Sequence, residues 1–162
     1  MIEEAKLFAV EAHGNQKYGS KPYVVHLEAV VGNLEKYSDE AKIIGFLHDV
    51  VEDTSATESD ISEKFGSFVA ACVSILTDEP GETRVERKSK TYQKMANVSG
   101  ELELALVVKA ADRLANMQAC VKDGNAQMLQ VYLGEHPVFK ESVYRKGKCD
   151  EIWFEIERLV NA

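Results

Sequence analysis

Cysteine is scarce in this chain. The three present, Cys72, Cys120 and Cys149, are odd in number and show no CxxC spacing, which argues against a thiolate metal site or a disulfide framework. Reduced thiols in a cytoplasmic setting are the expectation. No apolar run approaches the length of a bilayer span, so a membrane partner is not expected. At the N-terminus, Met1-Ile2-Glu3-Glu4-Ala5-Lys6 puts acids where a signal peptide needs positive charge. Positive charge is also in deficit. With 19 Lys and Arg against 27 Asp and Glu the net charge is −8, which argues against a nucleic-acid polymer as partner but not against a small phosphorylated ligand held by a local basic cluster. Strand-like alternation, hairpin signals, internal repeats and low-complexity tracts do not stand out.

What remains is an ordinary globular composition, 45% apolar and 28% charged over 162 residues. We expect one all-α domain over residues 1–162, a helical bundle large enough to bury its own core. Apolar residues at helical spacing predict a helix over 2–16, weakened in its last turn by Gly14. Lys17 to Lys21 then reads as a loop, with Pro22 in the first turn of a helix that carries Tyr23, His26, Val30 and Leu34 on one stripe. Ser38 is placed to cap a third helix and Thr57 a fourth, which Gly66 ends, while Ser67 begins a fifth. Asp78-Glu79-Pro80-Gly81 is a loop. The longest pattern covers 99–123 and stops at Gly124. Beyond it, breaks near Gly134, Pro137 and Gly147 predict two or three further helices.

The stretch Leu47-His48-Asp49-Val50-Val51-Glu52-Asp53-Thr54 carries the most chemistry. A helix running through it would place His48 with Glu52, and Asp49 with Asp53, each pair on one face. Burying such groups is costly unless a cation or hydrogen bonds compensate them. The alternative is that His48 caps the helix end while the acids stay in solvent. His26 lies on an apolar stripe, and Asp112 lies inside the apolar stretch Leu104–Leu114, where it either pairs with Arg113 or Lys109 or ligates a metal. His26, His48, Asp49 and Asp112 come from three separate helices that a bundle can converge. Mixed N/O ligation suits Mn, Fe, Co or Zn, and an open site of this kind suits hydrolysis of a phosphoester or pyrophosphate. Glu52 and Asp53 are spare carboxylates able to act on the attacking water. Between Thr83 and Lys94, Arg84, Arg87, Lys88, Lys90 and Lys94 stand against Glu86 alone. That run is either a solvated helix face or an anion clamp.

The order His, His-Asp, distant Asp resembles the metal signature of the HD phosphohydrolase superfamily. The segments Ala12-His13-Gly14-Asn15-Gln16, Pro22-Tyr23-Val24-Val25-His26, Leu47 to Thr54, Phe65-Gly66 and Val108-Lys109-Ala110-Ala111-Asp112-Arg113-Leu114-Ala115-Asn116 are together similar to the hydrolase domain of RelA/SpoT enzymes and to small alarmone hydrolases, over roughly residues 5–120. The resemblance implies an HD-type helical enzyme that uses Mn2+ to remove the 3′-pyrophosphate of ppGpp or pppGpp, giving GDP or GTP. It implies His26, His48, Asp49 and Asp112 as metal ligands, Glu52 and Asp53 as the acids acting on water, and Asn116 as a nucleotide contact. Lys17, Lys21, Arg84 and Lys88 are further candidates for phosphate contacts, and an oligomer is compatible with the pattern. The chain departs from the family at Lys17-Tyr18, where an arginine-rich loop is usual, at Leu27, where proline is usual, and at Gln118, where a basic residue is frequent. These departures bear on the substrate. NADPH, a nucleoside monophosphate, or a non-catalytic nucleotide sensor are the competing readings.

Overall fold

The computed structural model describes residues 1–162 and is built almost wholly of helices. The first, α1, spans Ile2–His13 and ends where Gly14 takes φ 54°, a left-handed value that glycine adopts freely. A small antiparallel hairpin follows, β1 Lys17–Tyr18 paired with β2 Lys21–Pro22. It corrects the expected loop, because two residues per strand are too few for an alternation pattern to register. Pro22 also belongs to this strand rather than to a helix, and Tyr23 occupies the N-cap of α2, Val24–Gly32.

Ser38 caps α3, Asp39–Leu47, by accepting from the Ala41 amide. The helix does not run through the His-Asp stretch. His48 is its C-cap, Asp49 sits at φ −103°, ψ −1°, and a single turn, α4 Val50–Asp53, resumes afterwards. At about 100° per residue, a regular helix cannot aim three consecutive side chains inward. The break lets His48 and Val50 be buried while Asp49, between them, is largely covered.

Thr57 and Asp60 form a reciprocal capping box at the start of α5, Glu58–Phe65. Gly66, at φ 96°, turns the chain into α6, Ser67–Leu76. After the 78–81 loop, Thr83 caps α7, Arg84–Ala96. A short 3-10 turn, Gly100–Glu103, leads into α8, Leu104–Asp123, which stops at the left-handed Gly124. The last two helices are α9, Ala126–Val143, and α10, Asp150–Val160.

In α9 the chain passes straight through Gly134 and Pro137, where breaks were expected. Both residues face solvent, while His136, Phe139 and Val143 of the same helix are buried. The packing of that apolar side outweighs the local penalty.

The organising element is α8. Every residue from Ala105 to Ala115 is buried, so this stretch is covered on all sides, by α2, α3, α6, α9 and α10. Lys109, Asp112 and Arg113 are therefore charged groups carried into the centre of the bundle. The apolar core around them is one cluster running from Ala5 to Ile156. Trp153 packs there against Phe139 and Tyr144. No helix is long and apolar enough to cross a membrane.

Candidate metal centre and cavity

His48 ends α3, and its Nδ1 lies 2.7 Å from the carbonyl oxygen of Gly45, one turn back. A carbonyl can only accept, so Nδ1 carries the proton, and in the neutral ring Nε2 offers a lone pair. That atom is buried with no hydrogen-bond partner. It faces Asp49 Oδ2 at 3.0 Å and Asp112 Oδ1 at 3.3 Å. From α2, His26 Nε2 approaches the same two oxygens, at 3.7 Å and 3.1 Å. His26, His48 and Asp49 present ligand atoms within 4.8 Å of one another, and Asp112 Oδ1 adjoins both imidazoles.

An imidazole lone pair turned toward two carboxylates is repulsive unless something positive lies between them. A divalent cation fits that arrangement, and two nitrogens with two oxygens suit a transition metal. Burial favours the neutral forms, yet the neighbours override it. His48 is held well above the usual histidine range by Asp49 and Asp112, and Asp49 is drawn down to about 2 by His48. Asp112 is lowered against its burial by Lys109 and His48.

The aspartates are held from outside. Tyr23 OH donates to Asp49 Oδ2 at 2.5 Å, Lys109 Nζ donates to Asp112 Oδ2 at 3.2 Å, and Asn116 Nδ2 donates to Asp112 Oδ1 at 3.1 Å. Both tethers of Asp112 come from α8 itself, three residues back and four forward.

A polar cavity of about 200 Å³ opens over these residues. Glu52 lines it, its carboxylate accepting from the Asp78 amide at 2.7 Å. Crowding around that carboxyl, aided by Asp78 and Asp49, raises it above the ordinary range. Asp53 does not line the cavity. It is exposed and accepts from Gln16 Nε2 at 3.0 Å, and Gln16 Oε1 in turn accepts from His13 Nδ1 at 2.8 Å.

The basic run of α7 divides. Lys90 and Arg87 fasten the 78–81 loop through the carbonyls of Pro80 and Gly81, and Lys94 reaches the carbonyls of Ser74 and Thr77. Arg84 and Lys88 line the cavity, together with Lys109 and Arg113 of α8. Lys17 and Lys21 sit on the exposed hairpin, outside that lining.

Three participants are given no role in the site by the sequence. Tyr132, on α9, closes the cavity and also borders a second, more open cavity of about 540 Å³ beside Tyr18 and Met128. Tyr23 reaches Asp49. Glu135 accepts from Arg84 Nε at 2.9 Å and from Arg113 Nη2 at 3.2 Å. The buried Arg113 also lies 4.0 Å over the Phe139 ring and donates to Tyr92 OH at 2.6 Å. Glu135→Ala would strand two guanidinium groups. We expect a loss toward the lower end of the roughly 3–5 kcal/mol typical of a broken buried pair, since Glu135 is partly exposed. Denaturant unfolding checks this, and an unchanged midpoint would contradict it.

A helical bundle that gathers two histidines and two aspartates at one buried point defines a class of candidate metal-binding helical domains. The chain belongs to the HD domain family, whose model matches residues 5–134. It is 35% identical over 127 residues to a GTP pyrophosphokinase of Myxococcus xanthus, covering 73% of this chain and 17% of that protein. It is 33% identical over 120 residues to a guanosine-3′,5′-bis(diphosphate) 3′-pyrophosphohydrolase of Aquifex aeolicus, covering 72% and 17%. The chain thus spans a minor part of these relatives' length. Among solved structures, a metazoan ortholog of SpoT that hydrolyses ppGpp superposes with a TM-score of 0.83 at 24% identity, over 99% of this chain and 93% of that one. A Listeria monocytogenes protein superposes with a TM-score of 0.71, also at 24% identity, over 88% and 95%. The likeness to RelA/SpoT-type HD hydrolases drawn from the motifs is borne out by these comparisons.

Proposed function

We propose that residues 1–162 act as one HD-type hydrolase domain that removes the 3′-pyrophosphate of ppGpp or pppGpp, leaving GDP or GTP, with Mn2+ as its metal. The observation that carries this reading is the buried, unpartnered Nε2 of His48 facing two aspartate oxygens beside a cavity lined by lysine and arginine. His26, His48, Asp49 and Asp112 would hold the ion, which when bound supplies Lewis-acid activation for phosphate ester hydrolysis. Two further observations support the substrate class. The relatives include a protein named for this reaction, and Arg84 and Lys88 line the same polar cavity as His26, Asp49 and Asp112.

Within the cavity, Glu52 is the acid that receives a proton from attacking water, because its carboxylate lines the wall and burial raises it above the ordinary range. Asp53 acts from outside the lining, oriented by Gln16. Arg84 and Lys88 bind phosphate oxygens, and the cavity beyond Tyr132 takes the nucleoside. Asn116 lines the same cavity and contacts the nucleotide there. The protein works in the cytoplasm on a small nucleotide, a setting that suits its three free, buried cysteines.

The test is a panel of ppGpp, NADPH and a nucleoside monophosphate, each with and without Mn2+. We expect pyrophosphate release from ppGpp that requires the metal. Turnover confined to NADPH or to the monophosphate would move the chain to another substrate within the same chemistry. Binding of all three without turnover would make it a sensor, contrary to the retention of Glu52.

A further inference from the structure

We propose that Tyr18 is a positioning residue for the metal centre, acting through Asn116 on Asp112. The inference rests on the metal reading above and concerns what holds the ligands still. Tyr18 belongs to β1 of the short hairpin, far in sequence from α8. Its ring stacks on His26, with centroids 4.6 Å apart and planes 9° from parallel. Its hydroxyl lies 2.6 Å from Asn116 Oδ1.

Donor and acceptor chemistry gives this contact a direction. Asn116 Oδ1 can only accept, so the Tyr18 hydroxyl donates. That fixes which way the amide faces and turns Nδ2 toward Asp112 Oδ1, at 3.1 Å. A carboxylate oxygen only accepts, so the second bond needs this orientation and no other. Asp112 Oδ1 is also the oxygen that faces His26 Nε2 and His48 Nε2. Remove the phenol oxygen, and the Asn116 amide keeps only its bond to Asp112, with nothing anchoring its other end.

The hairpin and the entry to α2 therefore supply one phenol for each candidate aspartate ligand. Tyr23 reaches Asp49 directly, and Tyr18 reaches Asp112 through an amide. This gives Asn116 a task besides any nucleotide contact, since both ends of its amide are engaged within the protein. It also gives a role to Tyr18, in a hairpin that lies outside the lining of the phosphate cavity.

The experiment is Mn2+ binding to the full chain by calorimetry, without nucleotide. Tyr18→Phe keeps the stacked ring and loses the hydroxyl, and its affinity is expected to fall about 10- to 100-fold, as when a group that orients a metal ligand is removed. Asn116→Ala is expected to lose a similar factor. Because one residue acts through the other, the double variant should bind no more weakly than Asn116→Ala alone. Wild-type affinity in Tyr18→Phe overturns the proposal, and so do losses that multiply in the double variant. A wild-type chain that takes up no Mn2+ overturns the metal reading itself, so the two failures are told apart by the unmodified protein.

Discussion

Asp49→Ala is expected to abolish Mn2+-dependent pyrophosphate release from ppGpp, lowering the rate about a thousandfold or more. Asp49 Oδ2 is the oxygen nearest His48 Nε2 and also approaches His26 Nε2, so its removal takes away the carboxylate common to both imidazoles. An ion that activates a phosphate ester contributes several kcal/mol, and each 1.36 kcal/mol is a factor of ten. The fold should survive. Asp49 lies in a helix interruption, and its neighbour Val50 keeps its buried place. Thermal unfolding with and without Mn2+ separates the effects. The wild type should be stabilised by the metal in proportion to RT ln(1 + [L]/Kd), and Asp49→Ala should not. A variant that retains wild-type turnover would remove Asp49 from the centre.

Glu52→Gln should behave differently. The amide keeps the shape of the side chain, and its oxygen can still accept from the Asp78 backbone, so the 78–81 loop remains docked. It cannot take a proton at neutral pH. General-base catalysis is worth about 10²–10⁴-fold, and a rate loss of that size is expected with Mn2+ affinity close to wild type. Loss of rate with retained metal is the signature that separates Glu52 from the ligands. Full activity in Glu52→Gln would take that residue out of the mechanism and leave Asp53, held by Gln16, as the remaining acid.

Much of this architecture could be read in the chain because its helix ends are marked by side chains with a mechanism. Ser38 and Thr57 accept the amide bonds expected of caps, and Gly66 and Gly124 end their helices with positive φ. The polar residues of the centre were legible for a related reason. His26 and Asp112 interrupt apolar stripes, and a charged group inside such a stripe needs a partner. The structure pairs Asp112 Oδ2 with Lys109 and turns Oδ1 toward two histidines, so one carboxylate meets both kinds of neighbour.

Contacts made by helix crossings were not legible. Glu135 meets Arg84 and Arg113 only because α9 packs against both α7 and α8, and nothing within ten residues of it announces the pairing. Tyr132 and Tyr18 are equally silent in sequence, since a tyrosine on a helix or hairpin has no local mark of what its ring will face. Gly134 and Pro137 misled in the other direction. They are helix breakers by propensity, and their solvent-facing positions on an otherwise anchored helix neutralise that tendency.

Convergence of the His26, His48, Asp49 and Asp112 side chains on a single ion is measured directly by anomalous diffraction from a crystal grown with Mn2+. We expect one strong peak within bonding distance of His26 Nε2, His48 Nε2, Asp49 Oδ2 and Asp112 Oδ1. A peak elsewhere, or none at that point under saturating metal, would contradict the account.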